Sequence, residues 1–142
     1  MTRVYLNKNP KELFWLFFLA IPYLIWMYSI VTELNKKIPK SQRLNEKVFI
    51  AFMVYAIAYI PICIFLLLFT NVDIHDMQPF HFIAMFCTFL LMIFTAITIT
   101  RFEKAEKFDQ SNWVELFFGI WFYFIGVWHI QPKLNNYIKR IE

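Results

Sequence analysis

Asp73, His75, Asp76 and His81 bring two carboxylates and two imidazoles into one short stretch. Such groups bind zinc or manganese, and three or four of them fill a site. The competing reading is a solvated turn: chain leaving an apolar segment is polar for trivial reasons, and helix starts favour acids. Glu115 and His129 form a second candidate pair, bracketing an apolar run as a proton path would. Both stand near the ends of that run, where a polar side chain costs little. Cys63 and Cys87 are equally spaced about residue 75, which places them at similar depth on two adjoining segments, as two buried thiols or as a disulfide. The sequence has no phosphate-binding glycine loop, no His-Glu-x-x-His, no CxxC pair and no serine in a nucleophile elbow. No catalytic residue and no cofactor is assigned, and a non-enzymatic role is expected.

The elements that must carry these residues are apolar. Val48 to Val72 is 25 residues without a charge, and Met77 to Thr100 is 24 residues in which only His81 can ionise. About 20 apolar residues suffice to cross a hydrocarbon core roughly 30 Å thick. Lipid offers backbone amides no partners, so each segment is expected to form a helix and the pair a transmembrane hairpin. Two further charge-free runs flank it, Leu13 to Thr32 with 20 residues and Leu116 to Pro132 with 17. The expected fold class is all-α: an integral membrane helical bundle of four apolar helices around the central hairpin, one multi-pass domain in the cell membrane.

Composition agrees with that setting. The 142 residues are 60% apolar and 21% aromatic, more than a water-soluble surface tolerates. The formal charge of +4 comes from Lys and Arg lying outside the apolar runs. That distribution fits anionic lipid and helix orientation and gives no reason to expect nucleic acid. The expected partners are the bilayer itself and a second copy or another membrane protein.

In chain order, Asn9-Pro10-Lys11-Glu12 reads as a helix start, and the run after it is too long for a signal peptide. Pro22 predicts a kink in the first helix and Pro61 one in the second. Lys36, Lys37, Lys40, Arg43 and Lys47 surround a short amphipathic turn holding Leu34 and Ile38, and Ser41 is expected to cap the second helix. Pro79 suits the first turn of the third helix, which should continue beyond the membrane to pair Glu103 with Lys107 at i to i+4. Ala84, Thr88, Leu91, Thr95 and Thr98 recur at helical spacing as a small, weakly polar face. Such faces pack helices together in membranes, with a polar pore lining as the functional alternative. Asn112 to Glu115 resembles a capping box for the fourth helix. Gly119 and Gly126, the only glycines, stand seven apart in line with Glu115, Phe122 and His129, where they would let another helix approach. From Lys133 on, Leu134, Tyr137, Ile138 and Ile141 predict a basic amphipathic helix on the membrane surface.

Shifting the chain by 100 residues lays the first run on the fourth, with nine identities over the 23 positions from Leu16 to Ile38. Both copies continue into Leu-Asn-x-x-Ile, at Leu34 and at Leu134, which an apolar alphabet alone does not produce. The stretches from Tyr23-Leu-Ile-Trp-Met-Tyr to Leu34-Asn35, and from Gly119-Ile-Trp-Phe-Tyr to Leu134-Asn135, resemble segments of a bacterial domain of unknown function found in small multi-pass membrane proteins. The resemblance covers about a third of the chain. It implies a membrane setting and brings no site residue with it.

Basic residues number three before the first run, five in the first loop, none in the second, three in the third and three in the tail. Four full spans are expected from hydropathy, yet they leave almost no charge bias between the two sides. The positive-inside rule favours another layout, in which only the loop around Asp73 lies outside. The first and fourth runs would then re-enter the leaflet they left, breaking near Pro22 and between Gly119 and Gly126. The functional expectation is a small membrane protein acting by self-association or partner binding, with an oligomeric channel or small-solute carrier as the alternative.

Overall fold

The computed structural model describes residues 20–70, 72–73 and 75–141, and among these the only regular elements are helices. They are α1 (Ala20–Lys37), a 3-10 turn at Lys40–Gln42, α2 (Glu46–Phe69), α3 (Gln78–Ala105), α4 (Trp113–Trp121) and α5 (Tyr123–Ile141). The helix start expected at Asn9 and the first part of the run from Leu13 lie outside the described residues. The all-α class holds, and two helices, α2 and α3, are long and apolar enough to cross a membrane. The fourth apolar run, expected as one helix, holds two, α4 and α5. The chain forms two compact units, one from residues up to Leu44 together with Met92 onward, the other Asn45–Leu91.

In the second unit, Asn45 caps α2 by accepting from the Lys47 N–H, while Ser41, expected in that role, sits in the 3-10 turn. A cap must directly precede the first helical residue, and the turn held at Gln42 moves the helix start to Glu46. Pro61 lies inside α2, and only Phe49, Met53 and Ala56 of its 24 residues are buried. Tyr55 donates to the Phe80 carbonyl, and Tyr59 meets His81 at 3.2 Å. The turns of α2 after Tyr59 therefore extend past the level where α3 begins, and their Phe65, Leu68 and Phe69 are exposed. Cys63 and Cys87 are free thiols.

The first unit is built on a helical hairpin. The chain leaves helical geometry at Phe122 (φ −86°, ψ 59°), then α5 turns back along α4. Ser111 meets Lys133 at the open end, and Gly119 meets Gly126 beside the bend. Here the glycines do what small residues do between helices, but the facing helix is the next one in the chain. The same register puts Glu115 and His129 at one level, both exposed, so they do not bracket a crossing. The segment after Lys133 is no separate surface helix. It continues α5 and buries Leu134 and Tyr137.

Helix α1 runs alongside, from Tyr23 near the bend to Asn35 near the open end. Tyr23 donates to the Ile120 carbonyl at 2.6 Å, a group left without an intrahelical partner because α4 stops at Trp121. Trp26 donates to Gln131 at 2.9 Å, and Gln131 donates on to Asn135. At the other end Asn35 bonds both the N–H and the carbonyl of Leu44, and Arg101 donates to the Gln42 carbonyl. Pro22 lies two residues after Ala20, the first described residue of α1, so the turn before it, where the expected kink would show, lies outside the described residues. Tyr23 and Tyr123, equivalent positions of the repeat, meet with ring centroids 5.6 Å apart.

Helix α3 ends in a Schellman motif. Phe108 N–H bonds the Glu103 carbonyl, Lys107 N–H bonds that of Lys104, and Phe108 packs on Phe102. Lys107 occupies the left-handed position at φ 56°, which a Cβ disfavours. Lys107→Gly is expected to stabilise the fold by about 0.5–1 kcal/mol, read as a higher midpoint of thermal unfolding in detergent.

Candidate functional site

The loop that drew attention in the sequence does not assemble a metal site. Asp73 accepts from the His75 backbone N–H, Asp73, His75 and Asp76 are exposed, and His81 pairs with Tyr59. Among the described residues no three His, Cys, Asp or Glu side chains come together to hold an ion. The Asp73 bond is an Asx turn, a local backbone contact that polar loops form without any ligand.

Most of the small-residue face is buried. Ala84 in the second unit and Thr95 and Thr98 in the first are buried, Thr88 is half-buried, and Gly126 is buried with Gly119 half-buried opposite it. Thr88 and Thr98 turn their hydroxyls back to the carbonyls of Ala84 and Phe94. The donor of each hydroxyl is thus used within its own helix.

The strongest polar constellation lies where α3, α4 and α5 meet. Glu103 is fully buried. Its Oε1 accepts from Lys133 Nζ at 2.9 Å, Tyr137 OH at 2.8 Å and Ser111 Oγ at 2.9 Å, and its Oε2 accepts from the Ser111 N–H at 2.6 Å. Lys133 also donates to Ser111 Oγ. Tyr137 stacks on Phe108 with centroids 4.5 Å apart, and Arg140 lies over the Phe108 ring, 5.8 Å from its centroid. The pairing predicted for Glu103 with Lys107 is replaced by this one. The Schellman turn carries Lys107 off the helix, so the i to i+4 geometry no longer exists.

A serine beside a lysine suggests an activated nucleophile, which requires a neutral amine. Burial works toward that by lowering the Lys133 pKa, yet the Glu103 carboxylate and Tyr137 outweigh it and hold the ammonium above its ordinary value. Ser111 Oγ in turn donates its hydrogen bond to the Glu103 carboxylate. The cluster is a clasp that closes the open end of the hairpin. Burial first, and the bond to Glu103 second, push the Tyr137 hydroxyl from 10.0 up to about 12. A phenol held protonated in the fold but not in the unfolded chain contributes stability below pH 10 that is lost as pH rises through 12. Wild-type protein is expected to lose thermal stability across that window more steeply than Tyr137→Phe, as measured by circular dichroism in detergent.

Sequence reasoning passed over Glu103 by treating it as a surface charge. Met92, Ala96, Ile99 and Glu103 follow each other at four, three and four residues, and all are buried. The core stripe of α3 thus runs straight into the carboxylate, and Lys133 with Tyr137, four apart on α5, were its visible partners. Neither known protein families nor curated proteins nor solved structures include a match to this chain, so its reading rests on these contacts.

Proposed function

We propose that this chain is a small non-enzymatic integral membrane protein of the cell membrane, which crosses the bilayer through α2 and α3 and acts by self-association or by binding a membrane partner. The observation that carries this is the surface of α2. A helix of 24 residues spans about 36 Å at 1.5 Å per residue, and here it buries only three of them. The core helix of a water-soluble protein would be covered on most sides. An apolar cylinder left open over that length fits lipid, or a second helix within lipid.

The test uses Ile62, exposed near the middle of α2. In water, Ile62→Lys would be neutral or would improve solubility. In a bilayer it lowers insertion about a hundredfold, so the chain should shift from the carbonate-resistant membrane fraction to aggregate or degradation. Wild-type protein released by carbonate, or unchanged fractionation of Ile62→Lys, would overturn the membrane reading. The mass of the detergent-solubilised particle then separates a self-associating protein from a monomer awaiting a partner.

A further inference from the structure

The hairpin α4–α5 has a surface that its own fold does not use. Trp113, Phe118, Trp121, Phe122, Ile125 and Trp128 are exposed, with Ile125 66% so at the bend. Phe118, Trp121 and Phe122 stack on one another with interplanar angles of 11° and 10°, forming an aromatic cap over the turn. The opposite, open end is basic. Arg101, Lys104 and Lys107 arrive on and after α3, Lys133, Lys139 and Arg140 on α5, and Arg43 on the linker that Arg101 holds. The one buried acid there, Glu103, is already neutralised by Lys133.

Depth decides what such an object can do. Helix α4 has nine residues, so it reaches about 14 Å, roughly half of a 30 Å hydrocarbon core. It cannot cross, and its partner α5 returns to the level of Ser111. Backbone irregularity at that depth is tolerated where protein covers it, and Tyr23 supplies the bond that the Ile120 carbonyl lacks.

We infer that α4–α5 is a re-entrant hairpin that enters a single leaflet, aromatic bend first, and seats its basic open end on the headgroups of anionic phospholipids. This rests on the membrane reading above and deepens it: it names the leaflet lipid that the hairpin recognises. Aromatic side chains fill the acyl region, the hairpin ends in no charge that must cross, and the net positive base meets phosphate.

The test uses the full chain with Cys63→Ala and Cys87→Ala and one new cysteine at a time, at Asp73, Gln110, Phe122 or Asn136. In intact cells and inverted vesicles, an impermeant thiol reagent should label positions 110 and 136 from the same side and position 73 from the other. A fluorophore at 122 should be quenched by lipids brominated in mid-chain and shielded from aqueous iodide. In phosphatidylcholine vesicles containing phosphatidylglycerol, brominated phosphatidylglycerol should quench it several-fold better than brominated phosphatidylcholine, and Lys104→Gln with Lys139→Gln should bring that ratio toward one. Labelling of 110 and 136 from opposite sides shows a single crossing and overturns the hairpin. Iodide quenching at 122 overturns leaflet entry, and equal quenching by the two lipids overturns anionic recognition. Release of the parent chain by carbonate is a different result, the failure of the membrane reading itself.

Discussion

Gly126→Ala is expected to unfold the first unit or open its hairpin, while Gly119→Ala is expected to be nearly silent. A Cβ at Gly126 would fall inside the carbonyl group of Gly119 and 3.0 Å from its Cα, and all of these are backbone atoms that cannot rotate away. At Gly119 the nearest atom is Ile130 Cδ1 at 3.3 Å, the far end of a flexible side chain. Overpacking against backbone costs at least 1–3 kcal/mol, and here the two arms must separate, which also withdraws the acceptor of Tyr23. The measurement is thermal unfolding of both variants in detergent. If the glycines merely faced a neighbouring molecule from one continuous helix, the two substitutions would behave alike.

Glu103→Ala should cost about 3 kcal/mol or more, because it strands groups that only the carboxylate satisfies. Ser111 N–H, Ser111 Oγ and Tyr137 OH all lose their acceptor, and Lys133 loses its counter-charge. Removing Lys133 alone, as Lys133→Met, should cost less. The ammonium is 37% exposed and gives up part of its contribution to water, while Glu103 keeps three other donors. The order expected in chemical denaturation is therefore wild type, then Lys133→Met, then Glu103→Ala. A Glu103→Ala protein as stable as wild type would show that the carboxylate is not held as described.

What the sequence disclosed followed from local rules. The apolar runs announced α2 and α3, Asn112 capped α4 by accepting from Val114 N–H as its position suggested, and Pro79 stood in the first turn of α3. What it concealed depended on contacts far along the chain. No residue type marks Phe122 as a break: aromatic residues are ordinary within helices, and 17 apolar residues read the same as one crossing or as two arms. The glycines gave the clue, but periodicity assigned them to one face of one helix because it presumes the helix continues. The candidate metal residues were chosen for chemical type and proximity in sequence, and the chain leaves Asp73, His75 and Asp76 exposed ahead of α3 while His81, within α3, pairs with Tyr59. Glu103 showed the opposite error, since a charge at the end of an apolar run is ordinarily solvated. Lys133 and Tyr137 on α5, together with Ser111, offset the cost of its burial.

The bonds that seat α1 have a further consequence, which concerns the order of synthesis. Tyr23 waits for a carbonyl 97 positions later and Trp26 for a side chain 105 positions later. Until Gln131 has left the ribosome, the Trp26–Gln131 bond that seats α1 cannot form. Premature termination anywhere before α5 would leave α1 without its Gln131 contact, so the seating of an early-made helix reports whether the last one has been completed.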